Sequence, residues 1–223
     1  MKDLGAWVTL LVAVPFAIVV ASAFLKFAVV LAILRRALGG SALPPASVAA
    51  GLALLFALFV TAPVAQRVWD AAQAHAAQAP QGSARKGDAT AAATATMAAT
   101  ATASTLEPVR EFLARHAPAR ERQSFLELQR RLRPAAERAA VSDNDLVVLA
   151  PAFATAELKS AFEIGFLLFL PFLVIELLTA MVLTSLGMNT VAPEMVSLPF
   201  KLLLFVLADG WHLLFRGLIL GYT

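Results

Sequence analysis

Four apolar runs organise the chain. From Leu4 to Ile33 the only charge is Lys26, and the run is long enough to cross a bilayer with some tilt. Val48 to Gln66 carries no charge until the run ends and is dominated by Ala, Leu, Phe and Val. Ile164 to Leu186 holds a lone Glu176, and Leu198 to Ile219 is apolar except for Lys201, Asp209, His212 and Arg216. All four predict helices, because a helix satisfies its own backbone hydrogen bonds where no water is present to do so. Arg35 to Pro45 is a short turn between the first two runs, and Gly187 to Pro199 joins the last two. The pattern predicts an all-α, membrane-type protein built on two long apolar helical hairpins.

The stretch between the hairpins has two textures. Residues 71–104 are Ala, Thr and Gln with scattered Gly, and Met97 is their one large apolar side chain. Such a segment cannot bury a core and reads as a low-complexity, mobile connector. Alanine favours helix, so a solvated helix extending the second run through Ala79 is the competing reading. Farther on, Val109, Phe112 and Leu113, then Phe125, Leu128 and Leu132, follow helical spacing, with breaks at Pro118 and Pro134. Between Glu107 and Arg138 lie eight Arg and five Glu, the pattern of amphipathic helices with a solvated charged face. The expected organisation is a first hairpin over 1–70, the connector over 71–104, a small helical domain over 105–150 and a second hairpin over 151–223.

Composition sharpens this picture. Hydrophobic residues make up 60% and charged residues 15%, against about half and a quarter in ordinary soluble domains. With no Cys, disulfides, zinc–thiolate sites and thiol nucleophiles are excluded. His75, His116 and His212 lie far apart, so no local metal-ligand spacing exists. No G-x-S-x-G, P-loop or HExxH occurs, so neither catalysis nor a metal or cofactor is expected. The net charge of +3 does not point to nucleic acid, because the Arg excess sits in one segment beside nearly as many acids, without interleaved aromatics.

Lys2, the apolar stretch and Ala21-Ser22-Ala23 together mimic a secretory signal with its cleavage site. Asp3 offsets Lys2 and the apolar run continues to Ile33, so cleavage is not expected. Arg35 and Arg36 flank a short turn and place it in the cytoplasm, whereas a long connector translocates largely regardless of its charge. The connector and the 105–150 domain are then expected outside, on the periplasmic face of a bacterial inner membrane.

Several motifs carry a family resemblance. Phe24-Leu25-Lys26-Phe27-Ala28-Val29-Val30-Leu31 is followed by Leu34-Arg35-Arg36-Ala37-Leu38-Gly39, Pro44-Pro45 and Gly51-Leu52-Ala53-Leu54. Glu107-Pro108-Val109-Arg110-Glu111-Phe112-Leu113 lies in the middle domain. The last third contains Pro151-Ala152-Phe153, Glu157-Leu158-Lys159, Ala161-Phe162-Glu163-Ile164-Gly165-Phe166 and Pro171-Phe172-Leu173-Val174-Ile175-Glu176. Leu186-Gly187-Met188, Ser197-Leu198-Pro199-Phe200-Lys201-Leu202-Leu203-Leu204-Phe205-Val206-Leu207 and Asp209-Gly210-Trp211 follow. Together these resemble the type III secretion export-gate family, SctR in injectisomes and FliP in flagella, over nearly the whole chain outside 71–104. The resemblance implies a non-catalytic structural subunit, and the expectation that no signal is cleaved favours the injectisome over the flagellum. It implies a pentamer that assembles with SctS/FliQ-like, SctT/FliR-like and SctU/FlhB-like subunits, with unfolded secreted proteins as cargo. It further implies that the loop after the third apolar helix closes the channel, which assigns Gly187, Met188, Asn189 and Met195 to a gasket. Met suits a deformable apolar seal, although an ordinary turn shaped by Gly187, with Met188 merely packing, explains the same residues. The chain departs from flagellar members in having Asn189 and Thr190 where they carry Met, and Glu176 stands at a position usually Asp.

Charges in apolar spans are costly and mark function by default. Lys26, Glu176, Lys201 and Asp209 are of this kind, and Glu157, Lys159 and Glu163 open the third run. These seven are assigned to charge pairing and assembly, and at least one of Glu176 and Lys201 is expected to pair across a subunit boundary. If the last turn is centred near residue 192, Glu176 and Lys201 are offset along the hairpin by roughly 10 Å; a centre at Met188 or Asn189 would bring them level. The alternative function is a proton- or ion-coupled transporter using Glu176, Lys201 and Asp209 as a relay, disfavoured by the lack of matched broken helices in the two halves. Gly217 and Gly221 form a G-x-x-x-G, read as a generic close approach between helices.

Overall fold

The structure, a computed structural model, describes residues 23–39, 45–78 and 104–222. Leu4 to Ser22, with most of the first apolar run, and residues 79–103, with most of the connector, lie outside the described residues. Among the described residues there are only helices and turns. Residues 23–37 form α1, Ala46–Gln78 form α2 and residues 104–116 form α3. Then come α4 at Ala119–Leu132, a 3-10 turn at Ala135–Ala140, α5 at Leu146–Ser185, α6 at Pro193–Leu207 and α7 at Gly210–Leu220. Both helix breaks in the middle domain fall at proline, Pro118 before α4 and Pro134 before the 3-10 turn, because the residue preceding Pro is driven out of helical geometry. Residues 71–78 continue α2 rather than opening the connector.

Among the described residues, two helices, over Ala46–Ala74 and Leu146–Ser185, are long and apolar enough to cross a membrane. The final run is not the single helix expected from hydropathy. It breaks after Leu207 into α6 and α7, bent by 60°. The break has a local cause. Asp209 adopts the left-handed conformation (φ 48°, ψ 48°), which Asp tolerates better than most residues. A Cβ on the next residue, Gly210, would lie 2.3 Å from Phe205 Cε2, so glycine there lets the ring pack on the backbone.

The chain forms two compact units, and α2 and α5 each contribute to both. The unit drawn from residues 61–156 buries Val64, Val68, Val109, Leu113, Val148, Leu149 and Phe153. Phe112 meets Phe153 edge-on at 5.7 Å, and the His116 Nδ1 lies 2.8 Å from the Phe112 carbonyl oxygen. Helix α4 buries nothing in this unit: Leu128 and Leu132 are 51% and 79% exposed, so its amphipathic stripe is open.

The other unit comprises 23–60 and 157–222. Phe27, Val30, Leu31 and Leu34 of α1 are fully buried, as are Ala53 and Ala57 of α2 and Ala161 of α5. A tight approach is at Gly165, where an added Cβ would sit 2.3 Å from Ile33 Cδ1. A ladder of rings ties α7 to the rest: Phe215 stacks on Phe56 at 3.9 Å and on Trp211 at 5.8 Å, and Trp211 meets Phe205 edge-on at 5.2 Å. The turn after α1 closes against α6, since a Cβ at Gly39 (φ 114°) would lie 3.2 Å from Leu198 Cδ1.

Candidate functional site

The loop joining α5 to α6 is built by a recognisable backbone device. Gly187 takes φ 74°, its N–H donates to the Thr184 carbonyl at 3.0 Å, and the Met188 N–H donates to the Leu183 carbonyl at 2.9 Å. This crossed pair is the Schellman end of a helix, which requires a left-handed residue just past the last turn and so selects glycine. The Val191 and Met195 N–H groups then donate to the Met188 and Ala192 carbonyls, and Pro193 starts α6, where its missing N–H costs nothing. The result is a short, backbone-determined loop over 186–192 that leaves its side chains free. Met188 is 45% and Met195 76% exposed, and Asn189 and Thr190 are exposed beside them. Gly187 therefore has the turn role that the plain reading gave it, while Met188 remains available to a neighbour.

Two ionic contacts lie in the same unit as this loop. The Lys201 ammonium is 2.5 Å from Glu176 Oε2, with the Lys201 side chain 2% and the Glu176 side chain 40% exposed. The two pair within one hairpin, because the loop is centred three residues earlier than the expected position near 192 and brings them level. The partner for Lys201 thus comes from its own chain, and the open side of Glu176 is what remains for any other contact.

The second contact joins helices farther apart in sequence. Lys26 on α1 lies 3.5 Å from Glu157 Oε2 on α5, and both side chains are almost wholly buried, at 4% and 6% exposure. Tyr222, just past α7, donates its phenolic O–H to the same carboxylate oxygen. The Lys26 ammonium also lies 4.5 Å from the centre of the Tyr222 ring. One carboxylate thus accepts a hydrogen bond from Tyr222 and pairs ionically with Lys26, two groups that themselves touch, which compensates the buried charge. Phe27 stacks on the Tyr222 ring at 6.3 Å. Gly221 belongs to this packing, as its Cβ would stand 3.4 Å from Lys26 Nζ, whereas Gly217 faces open space. Among the described residues, one half of the G-x-x-x-G makes a close approach.

The other assigned charges are surface groups. Lys159, Glu163 and Asp209 are exposed and make no salt bridge among the described residues. Helical geometry explains the first two, since at 100° per residue positions two and six beyond Glu157 turn well away from the face it buries. Sequence reasoning missed Tyr222, the only tyrosine in the chain; a lone phenol amid fifteen Phe was the available signal. Among the described residues no group of three or more His, Asp or Glu could hold a metal.

Comparison with known proteins sets this geometry in context. Residues 7–218 match the FliP family. The hypersensitivity response secretion protein HrcR of Ralstonia nicotianae is 42% identical over 208 residues, covering 93% of this chain and 91% of that protein. The Yop proteins translocation protein R of Yersinia pestis is 39% identical over 221 residues, 96% of this chain and 93% of its own length. The flagellar biosynthetic protein FliP of Pectobacterium carotovorum is 41% identical over 210 residues, 94% of this chain and 74% of that protein. A match through both hairpins and the domain between them is not the product of shared hydropathy, and the chain belongs to the FliP family, the SctR/FliP family of type III secretion.

Proposed function

We propose that this chain is a structural subunit of the type III protein secretion export gate and lines the channel through which unfolded proteins pass. The observation that carries the reading is the family match over residues 7–218, with relatives named for secretion and translocation aligned over most of their length. The geometry is consistent with it. Backbone hydrogen bonds shape the 186–192 loop and Met188 is 45% exposed, which supports a Met188 that faces a channel. Little of the apolar surface is covered from within, only 11% of the most apolar stretch of α5 and 28% of that of α2. Surface of that kind is covered by lipid or by further subunits, which fits a homo-oligomer bearing SctS/FliQ-like, SctT/FliR-like and SctU/FlhB-like partners. The subunit catalyses nothing, sits in the bacterial inner membrane with its 105–150 domain on the periplasmic side, and serves an injectisome rather than a flagellum.

One observation favours the transporter alternative. The bent α6–α7 pair has the form of a broken span. Transporters built on repeats break the corresponding helix in each half, however, and α2 runs unbroken from Ala46 to Gln78 through Pro63. The test is to co-express the chain with candidate SctS-, SctT- and SctU-like subunits, image the purified complex, and measure ion conductance after reconstitution. A large assembly whose leak rises in Met188→Ala at unchanged yield supports the gate. Normal yield with unchanged conductance removes Met188 from the seal, and a small particle that drives solute uptake overturns the export-gate reading itself.

A further inference from the structure

We propose that α7 is a hinged arm, pivoting at Asp209–Gly210 and latched at its far end by Tyr222 on the buried Lys26–Glu157 pair. At the near end, Asp209 holds a left-handed conformation and Gly210 lies under the Phe205 ring, so the backbone turns there instead of continuing α6. The Ala208 and Asp209 N–H groups close the end of α6 by donating to Leu204 and Val206, and the ladder restarts with Leu213 donating to Asp209. At the far end, the Tyr222 O–H donates to Glu157, its ring lies against the Lys26 ammonium, and Gly221 leaves room for the ammonium to come close. Between these ends α7 is held by apolar contacts, with Leu214 and Leu218 buried and Phe215 stacked on Phe56. Apolar contacts are not directional and allow a helix to rotate or slide; a three-group ionic cluster is directional and does not. The latch therefore sets the orientation of α7, and the hinge gives it a different orientation to adopt when the latch opens. This inference stands whether or not the chain is an export-gate subunit.

The experiment is amide hydrogen exchange on the full chain purified in detergent, comparing the native protein with Tyr222→Phe, Tyr222→Leu and Lys26→Met. Tyr222→Phe removes only the hydroxyl and keeps the ring beneath the ammonium, and loss of a hydrogen bond to a charged group should speed local opening by about tenfold or more. Exchange over residues 210–222 should rise by that factor with α4 unchanged. It should rise further in Tyr222→Leu, and Lys26→Met combined with Tyr222→Phe should give less than the product of the two single effects. Unchanged exchange in α7, or an equal rise in α7 and α4, overturns the latch. If Tyr222→Phe does not accumulate, the native chain decides, because Tyr222 is its only tyrosine. A latched phenol resists nitration by tetranitromethane until the protein is denatured, and rapid nitration of the native chain overturns the proposal.

Discussion

Breaking the Glu176–Lys201 pair should be far more damaging from one side than from the other. Lys201 is 2% exposed, so Glu176→Leu leaves an ammonium buried without a counter-charge 2.5 Å away. Breaking a buried pair in this way costs about 3–5 kcal/mol. Lys201→Met leaves a carboxylate whose side chain is 40% exposed, so it can find another donor or take up a proton. Its cost should be nearer to about 1.5–3 kcal/mol, that of one lost hydrogen bond to a charged group. The double variant places two apolar side chains of similar bulk against each other and should recover most of the loss, since a buried ion pair roughly breaks even with an apolar replacement. For a chain of this size 1 kcal/mol corresponds to about 2–4 °C in Tm, so Glu176→Leu should melt on the order of 10 °C below the native protein. Thermal unfolding of the four proteins in one detergent gives the cycle. Equal losses in the two single variants, or a double variant as unstable as the sum of both, would refute the asymmetry and the burial on which it rests.

The remaining expectations follow from backbone geometry and topology. Gly210→Ala should lower stability by about 1–3 kcal/mol, because its Cβ would overlap the buried Phe205 ring, whereas Gly217→Ala should leave the isolated chain unchanged, having open space around it; thermal melts of both distinguish them. Single cysteines can be introduced without background in this Cys-free chain, and Ser124 and Arg36 are both exposed. In intact spheroplasts Ser124→Cys should react with a membrane-impermeant maleimide and Arg36→Cys only with a permeant one; the reverse pattern would invert the proposed orientation.

The parts of this fold that were legible share a physical property: they depend on near neighbours. Continuous apolar runs predict helices because the backbone must satisfy itself, and Pro118 and Pro134 mark breaks because proline acts on the adjoining residue. The Gly187 turn was legible for the same reason. The α6–α7 break was overlooked although its signal is local, since Asp209-Gly210 is a turn dipeptide within an apolar run. Hydropathy averages over a window and hides it. The Lys26–Glu157–Tyr222 cluster could not be read, because its members come from three helical segments and Tyr222 lies 65 residues from its acceptor. The exposure of Lys159 and Glu163 was recoverable, because counting 100° per residue from Glu157 turns both away from its face.

The second unit combines an apolar core with buried charges and an open apolar outer surface. Lys26, Glu157 and Lys201 are nearly inaccessible, while Phe162, Phe166, Leu167 and Met181 of α5, and Leu186 just past its end, are more than half exposed. In water this arrangement would cost free energy at both places, so the outer surface faces hydrocarbon or protein. Length decides how far hydrocarbon can account for it. Helix α5 has 40 residues and is therefore roughly 60 Å long, about twice the apolar thickness of a bilayer. Its open apolar face from Phe162 to Leu186 alone measures about 36 Å, which already calls for tilt near the upper end of what spans adopt. The face does not stop there. Two residues on, Met188 extends it into the loop, and the chain then turns back, so Met195 on α6 lies level with about Leu183 and not farther out. Lipid or further protein can cover this surface, and what one bilayer's hydrocarbon cannot reach is the remaining length of α5, roughly 30 Å, which is left to water or to protein.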